Sequence, residues 1–459
     1  MKVRPIHIII LMLLAVSARF LYFGNYIGHD DSYIYLNYAK NISSGNGWSF
    51  NDSEPTYGTT SPLWTIILAL GDLSGIGAVP VGRTISYISL MLLVLFAFLL
   101  GRKVFDDDII AFAYASAIAI DPWILRWSGT IMETTLGAFS SLLFIYLLFK
   151  IGRKPIVSFL GGVMVLIRPE LGLVWFIAFL EKDIKNFIKN ALFFILPIIP
   201  WIVYAYFTFG QIYPNTMIKA EAPILNFSTN TLMGILKALS IYFPLFIVPL
   251  IYRPSSLVES VKKNRVIIAI ISAVFLYYCW RTTGLQSTVR YINFLIPLVL
   301  LIIFSLARTR KLAVIILILQ IAISSILVGY YIIPRVDMFE FGYKDSHIVA
   351  AKWLKMHTSK SDKILVHIDI GIIGYYSERY ILDYGCLVTP EMRNIKNIEQ
   401  AVKRWKPKYF VHTQRKIKWE ALKKYPNLHL KPVMEFILPP TGISASNRHI
   451  YLSIYEIQY

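Results

Sequence analysis

The sequence predicts a polytopic α-helical membrane protein of about eleven spans, followed by a small extracytoplasmic α/β domain. Three observations carry that prediction. Of 459 residues, 56% are hydrophobic and only 16% charged, with a mean hydropathy of +0.56, unlike a soluble chain. Apolar runs recur from residue 6 to about residue 333 and then stop. Basic residues cluster between those runs in the pattern of the positive-inside rule. That rule, with attraction to anionic headgroups, accounts for the net charge of +19. A nucleic-acid binder would present a basic face interleaved with aromatics on a soluble module, and the sequence has no such module.

Lys2 and Arg4 precede the first apolar run, so the N-terminus is expected inside and residues 6–24 cross outward. Val16-Ser17-Ala18 resembles a weak cleavage site, but cleavage would strand Asp30 and Asp31 at a new terminus, so the segment reads as an uncleaved anchor. The run 61–75 is short for a span, which needs about 20 apolar residues. If it crossed, Arg102, Lys103, Lys150, Arg153 and Lys154 would lie outside. Residues 25–83 are therefore expected to form one external loop with helices at the membrane surface.

Spans then fall near 84–101, 109–124 and 131–150. A short pair at 156–168 and 170–181 is broken at Arg168-Pro169-Glu170. Others lie near 190–209, 236–252, 265–281, 290–307 and 312–333. The odd count puts the C-terminal region on the side of the Asp pair. The chain thus divides into a membrane domain, 1–335, and an external soluble domain, 336–459. In the latter, 344–357 fits an amphipathic helix, 363–369 and 408–413 fit buried strands, and a helix is expected near 396–405. Asn-x-Ser triplets at Asn41, Asn51 and Asn226 fall outside on this map. Cys279 and Cys386 offer neither a disulfide framework nor a structural zinc site. No internal repeat and no Walker or Rossmann loop is present.

Charge near hydrocarbon is costly and is usually kept for function. The outer loops and helix ends collect the acids Asp30, Asp31, Glu54, Asp121, Glu133 and Glu170. The bases there are Arg19, Arg83, Arg126, Arg168, Lys219, Arg281 and Arg290, with His29 and Tyr57 beside them. Acids that take a proton or hold a cation, next to bases that hold phosphate, suit group transfer with a phosphate leaving group. Asp30 and Asp31 repel each other, and packing alone does not require them. They begin a stretch of helical periodicity, where the helix dipole is expected to lower the carboxylate pKa. The other residues have structural readings too: caps, ion pairs and headgroup contacts.

Together, DDSYIYLNYAKNISSGNGWSFN, EPTYGTTSPLW, SGTIMET, RPE, YPNT and RYINFLIPL, in that order, resemble the GT-C superfamily of membrane glycosyltransferases. The branch is that of protein mannosyltransferases, aminoarabinose transferases and arabinofuranosyltransferases. DIGIIGYYSERYILDYGCLVTPE (369–391) is similar to the external domain that often closes such chains. The resemblance covers nearly the whole length and is most specific in the first loop.

It implies an enzyme of the cell envelope that moves a sugar from a polyprenyl-phosphate donor to an acceptor hydroxyl outside the cytoplasm, with inversion. The acceptor would be a glycan, a lipid or a protein. Asp30 would be the general base and Asp31 its helper. Arg281, Arg290, Lys219 and Arg168 would hold the donor phosphate. His29, Glu54, Tyr57, Glu133 and Glu170 would contact substrate. A divalent cation, Mg or Mn, is an option the resemblance leaves open, with Asp30, Asp31 and Glu133 as candidate ligands. Membrane lipids are the other expected partners. The alternatives are a non-catalytic assembly protein of this fold and a lipid-linked sugar transporter. A transporter would call for inverted repeats and broken helices in both halves, and the sequence has only one broken pair.

Overall fold

The computed structural model describes residues 3–180, 183–219, 227–252, 254–281, 289–414, 418–439 and 450–459. It divides into two compact units. One comprises Met1–Asn25, Arg83–Trp201 and Ala222–Ile333; the other comprises Tyr26–Gly82, Ile202–Glu221 and Pro334–Tyr459.

The first unit is helical. Among the described residues of the whole chain, six helices are long and apolar enough to cross a membrane, or up to eight if each bent pair is one span. The expected eleven included segments that the structure makes shorter. The run 109–124 stops as a helix at Ala119, because Asp121 and Pro122 start a new one, Pro122–Trp127. Asp121 caps it, its Oδ1 accepting from the N–H groups of Trp123 at 3.1 Å and Ile124 at 3.0 Å. The run 156–181 is two helices, Pro155–Ile167 and Leu171–Phe179. Arg168 between them is extended (φ −151°, ψ 122°), the conformation a following proline imposes. Pro155–Ile167 packs tightly on Ile184–Ile195: a Cβ at Gly162 would stand 2.0 Å from the Phe194 carbonyl oxygen.

The second unit joins the first loop to the C-terminal sheet. Helix Asp30–Ser43 packs on Pro62–Leu73 and on Ile370–Ser377. The sheet has five strands in the order β2-β1-β3-β5-β4. They are β1 Lys363–Val366, β2 Tyr380–Asp383, β3 Tyr409–Gln414, β4 Leu430–Leu438 and β5 Ile450–Ile457. β1 runs parallel to both β2 and β3, while β3/β5 and β4/β5 are antiparallel. Ile364, Leu365, Val366, Phe410 and Val411 are buried, as expected of a central strand pair covered on both faces. The two expected strands and the expected helices, observed as Asp345–His357 and Ile398–Trp405, are present. β2, β4 and β5 are additional.

Connections leave β1 toward β2 and return past it to β3, so the switch in strand order falls between β1 and β3. In open α/β sheets that point is where ligands collect. The segment His367–Asp369 and the start of helix Ile370–Ser377 lie directly after β1.

Candidate active site

Asp30 is the first residue of helix Asp30–Ser43, with His29 as its N-cap. It keeps some exposed surface, but its carboxylate is turned inward. Oδ2 accepts the Gly371 N–H at 2.9 Å and Oδ1 the Ile372 N–H at 2.7 Å. Those are orphan donors of the first turn of helix Ile370–Ser377, the place where a helix binds anions. The carboxylate therefore fills the anion site beside the strand-order switch.

Burial, and then the charge of Asp369, push the Asp30 carboxyl well above its ordinary 3.8. This reverses the sequence expectation of a lowered value. The two N–H bonds do act downward, but desolvation and a like charge outweigh them. A base whose proton affinity is raised toward the working pH is better suited to take a hydroxyl proton.

The close approach depends on Gly371. A Cβ there would lie 2.2 Å from the Asp30 carbonyl oxygen and 2.9 Å from its Oδ2. Gly371→Ala is expected to force the two helices apart, at a cost of about 1–3 kcal/mol. A thermal-unfolding comparison with wild type in the same detergent measures it, and an unchanged midpoint would refute the tight fit.

The other first-loop residues have definite places. Asp31 is half-buried. His29 Nδ1 lies 3.2 Å from the Tyr26 hydroxyl, and its ring meets Phe339 edge-on at 5.1 Å. Glu54 accepts from the Tyr380 hydroxyl. Tyr57 is buried and stacks on Phe209 at 5.0 Å. Two of the Asn-x-Ser asparagines are buried structural links rather than surface acceptors. Asn41 donates to the carbonyls of Ser49 (3.0 Å) and Phe50 (2.9 Å). Asn51 exchanges both hydrogen bonds with the Ile381 backbone, at 3.0 and 2.9 Å. Asn226 lies outside the described residues.

In the helical unit, Arg168 is 4% exposed and wholly engaged. Its Nε donates to Glu170 Oε1 at 2.9 Å and Nη2 to the same oxygen. Nη1 reaches Glu133 Oε1 at 3.3 Å and the Arg290 carbonyl at 3.2 Å. The Tyr278 hydroxyl donates to Glu170 at 2.7 Å. Glu133, at the N-cap of helix Thr134–Ile151, has its other oxygen buried without a hydrogen-bond partner among the described residues. Arg290 is half-buried; its guanidinium lies over the Tyr291 ring at 4.7 Å and donates to the Tyr291 hydroxyl at 2.8 Å. The side chains of Lys219 and Arg281 lie outside the described residues.

Other outer bases and acids are committed to the fold. Arg19 is fully buried and donates to the carbonyls of Ser128 and Gly24. Arg83 binds Asn25. Asp121 receives the Tyr242 hydroxyl at 2.6 Å in addition to its cap bonds.

Arg126 is the exception. It is 7% exposed, and among the described residues its only interaction is with the Trp127 ring, 5.4 Å from the guanidinium. Its Nε is buried without an acceptor. The sequence grouped it with the other outer bases and gave it no role of its own. The available signal was that no acid stands within four residues on either side, so no helical neighbour could neutralise it.

No group of three or more His, Cys, Asp or Glu able to hold a metal ion occurs among the described residues. Asp30 is bonded to backbone N–H groups and Glu133 to Arg168.

A model for a domain of unknown function, DUF8728, matches residues 339–450. No curated protein matches the chain in sequence. Among solved structures, the chain is similar to ArnT from Cupriavidus metallidurans in two states, bound to undecaprenyl phosphate and apo. In each case the identity is 11%, the TM-score 0.59, and the match covers 97% of both chains. The chain therefore has an ArnT-like fold over 97% of its length.

Proposed function

We propose that this chain is a membrane glycosyltransferase that takes a sugar from a polyprenyl-phosphate donor and passes it to an acceptor hydroxyl. The observation that carries the reading is Arg126. A buried guanidinium with no carboxylate is expensive, and a membrane protein that keeps one needs an anion to offset it. A lipid phosphate is an anion that reaches such a site from the bilayer. The ArnT-like fold and the bound undecaprenyl phosphate of that relative support this choice of anion.

In this reading Arg126 binds the donor phosphate, with Arg290 as a second cation. Arg168 holds Glu133 and Glu170 in place. Asp30 takes the proton of the acceptor hydroxyl as its oxygen attacks the anomeric carbon. The bond from that carbon to the phosphate oxygen breaks, polyprenyl phosphate leaves, and the centre inverts. Asp31, His29, Glu54 and Tyr57 border the acceptor side. Residues 1–335 form the membrane part and 336–459 the external domain. No step is assigned to a metal ion.

The test is turnover of a radiolabelled polyprenyl-phosphate sugar by the full chain in nanodiscs. Arg126→Gln is expected to raise the donor KM at least about tenfold, the scale of one charge-assisted contact, with thermal stability unchanged. Unchanged donor KM removes Arg126 from the phosphate site. Absence of any donor turnover by wild type, with a panel of sugars and acceptors, overturns the function.

Sidedness has its own measurement. Cysteines placed at Asp52, in the first loop, and at Lys154, in a basic cluster, are expected to react with a membrane-impermeant thiol reagent from opposite faces. Asp52 should react from outside. Labelling of Lys154→Cys from outside overturns the orientation.

A further inference from the structure

A buried acid–imidazole pair lies behind Asp30. Asp369 follows β1 and has a left-handed backbone (φ 63°) as the N-cap of helix Ile370–Ser377. Its Oδ2 accepts the Tyr343 hydroxyl at 2.5 Å and faces His347 Nε2 at 3.4 Å. His347 is 0% exposed. The ring nitrogens can be assigned from their neighbours. Nδ1 stands 2.7 Å from the Tyr343 carbonyl oxygen, which only accepts, so Nδ1 carries a hydrogen. Nε2 faces a carboxylate. The Tyr343 hydroxyl and His347 Nε2 thus converge on the same carboxylate oxygen of Asp369. The same two donors hold the Asp369 carboxyl below its ordinary range, against burial.

The two acids flank the same helix start. Asp369 precedes Ile370, and Asp30 binds the N–H groups of Gly371 and Ile372. We propose that Asp369 and His347 are positioning residues for the transfer reaction, fixing the start of helix Ile370–Ser377 and setting the charge against which Asp30 works. The proposal rests on Asp30 as the base.

Other titratable groups face this cluster from each packed element. Asp31 and Tyr33 come from the helix of Asp30. Tyr343 and the Glu340–Lys344 pair come from residues 334–357, and the Thr413 hydroxyl from β3. Of the basic groups described here, Lys344 pairs with Glu340, and His347 is the one set against Asp369.

The expected effects have opposite signs. Asp369→Asn removes the like charge beside Asp30, so Asp30 should lose its proton at lower pH, by roughly one pH unit. His347→Gln removes the basic group paired with Asp369 while the Tyr343 hydroxyl still holds the carboxylate, so the like charge is less offset and Asp30 should hold its proton to higher pH. The measurement is infrared titration of the Asp30 carboxylic C=O band, assigned by its loss in Asp30→Asn, on the full chain in nanodiscs. The acid limb of the transfer pH profile should move with the band.

A midpoint that stays where it is in either variant, or moves the same way in both, overturns the proposal. If those variants do not fold, Tyr343→Phe deletes a single hydroxyl from Asp369, and its band should also move upward; an unmoved band is then the refutation. The infrared readout does not need turnover. If Asp30→Asn retains transfer, the base assignment fails while the coupling is still decided.

Discussion

Asp30→Asn is expected to reduce sugar transfer by about 10²–10⁴-fold, the usual contribution of a positioned general base. The substitution keeps one oxygen for an N–H of helix Ile370–Ser377 and turns an amide toward the other. One buried donor loses its acceptor, which costs about 1–3 kcal/mol. In return, the repulsion with Asp369 disappears. The chain should therefore fold, and the loss should appear in kcat rather than in donor KM. Asp31→Asn, beside it, should have the smaller effect, because Asp31 does not anchor the helix start. Transfer at wild-type rate by Asp30→Asn would end the catalytic assignment of this residue.

The pH dependence has a definite sign. Asp30 must lose its proton to act, and its pKa is raised, so activity should fall on the acid side at a pH above the ordinary aspartate range. The stability terms of the two acids oppose each other. The raised value of Asp30 contributes stability that is present below its ordinary 3.8 and is lost as pH rises through the folded value. The lowered value of Asp369 contributes stability present above 3.8 and lost as pH falls.

The membrane architecture was legible because hydropathy and basic clusters report directly on the bilayer. The break at Arg168-Pro169 was legible for the same local reason, since proline constrains the residue before it. Span lengths were not, because Asp121 caps a new helix inside an apolar run and hydropathy does not register a cap. β4 and β5 went unread although the stretch between them, with Pro439, Pro440, Gly442 and Asn447, is rich in turn formers. The Asp pair stood out as repelling charges in a greasy loop. Its partner at Gly371 did not, because a backbone N–H has no letter in the sequence. His347 read as one residue of an amphipathic helix; only the fold sets it against Asp369.

Among the outer arginines the sequence reading chose Arg168, Arg281 and Arg290 for the phosphate, and the structure separates the described ones by what they touch. This gives the second large effect. Arg168→Met is expected to destabilise the chain by about 3–5 kcal/mol, because it leaves Glu133 and Glu170 buried without a cation. With Arg168 4% exposed, solvent does little to screen that loss. Arg168→Lys should fall between the two, since an ammonium keeps the charge but not the fork that reaches Glu133 and Glu170 at once. Changing Glu133 and Glu170 to Gln in the Arg168→Met background should restore much of the stability, because the cost lies in the stranded carboxylates. Denaturant titration in detergent reads all three. If Arg168→Met unfolds like wild type, the cluster is not the ion pair the geometry describes. The opposite holds at Arg126: among the described residues it has no carboxylate to strand, so its removal should spare the fold and weaken the hold on an anion. A guanidinium matched inside the protein is thus expected to govern folding, and an unmatched one to govern binding.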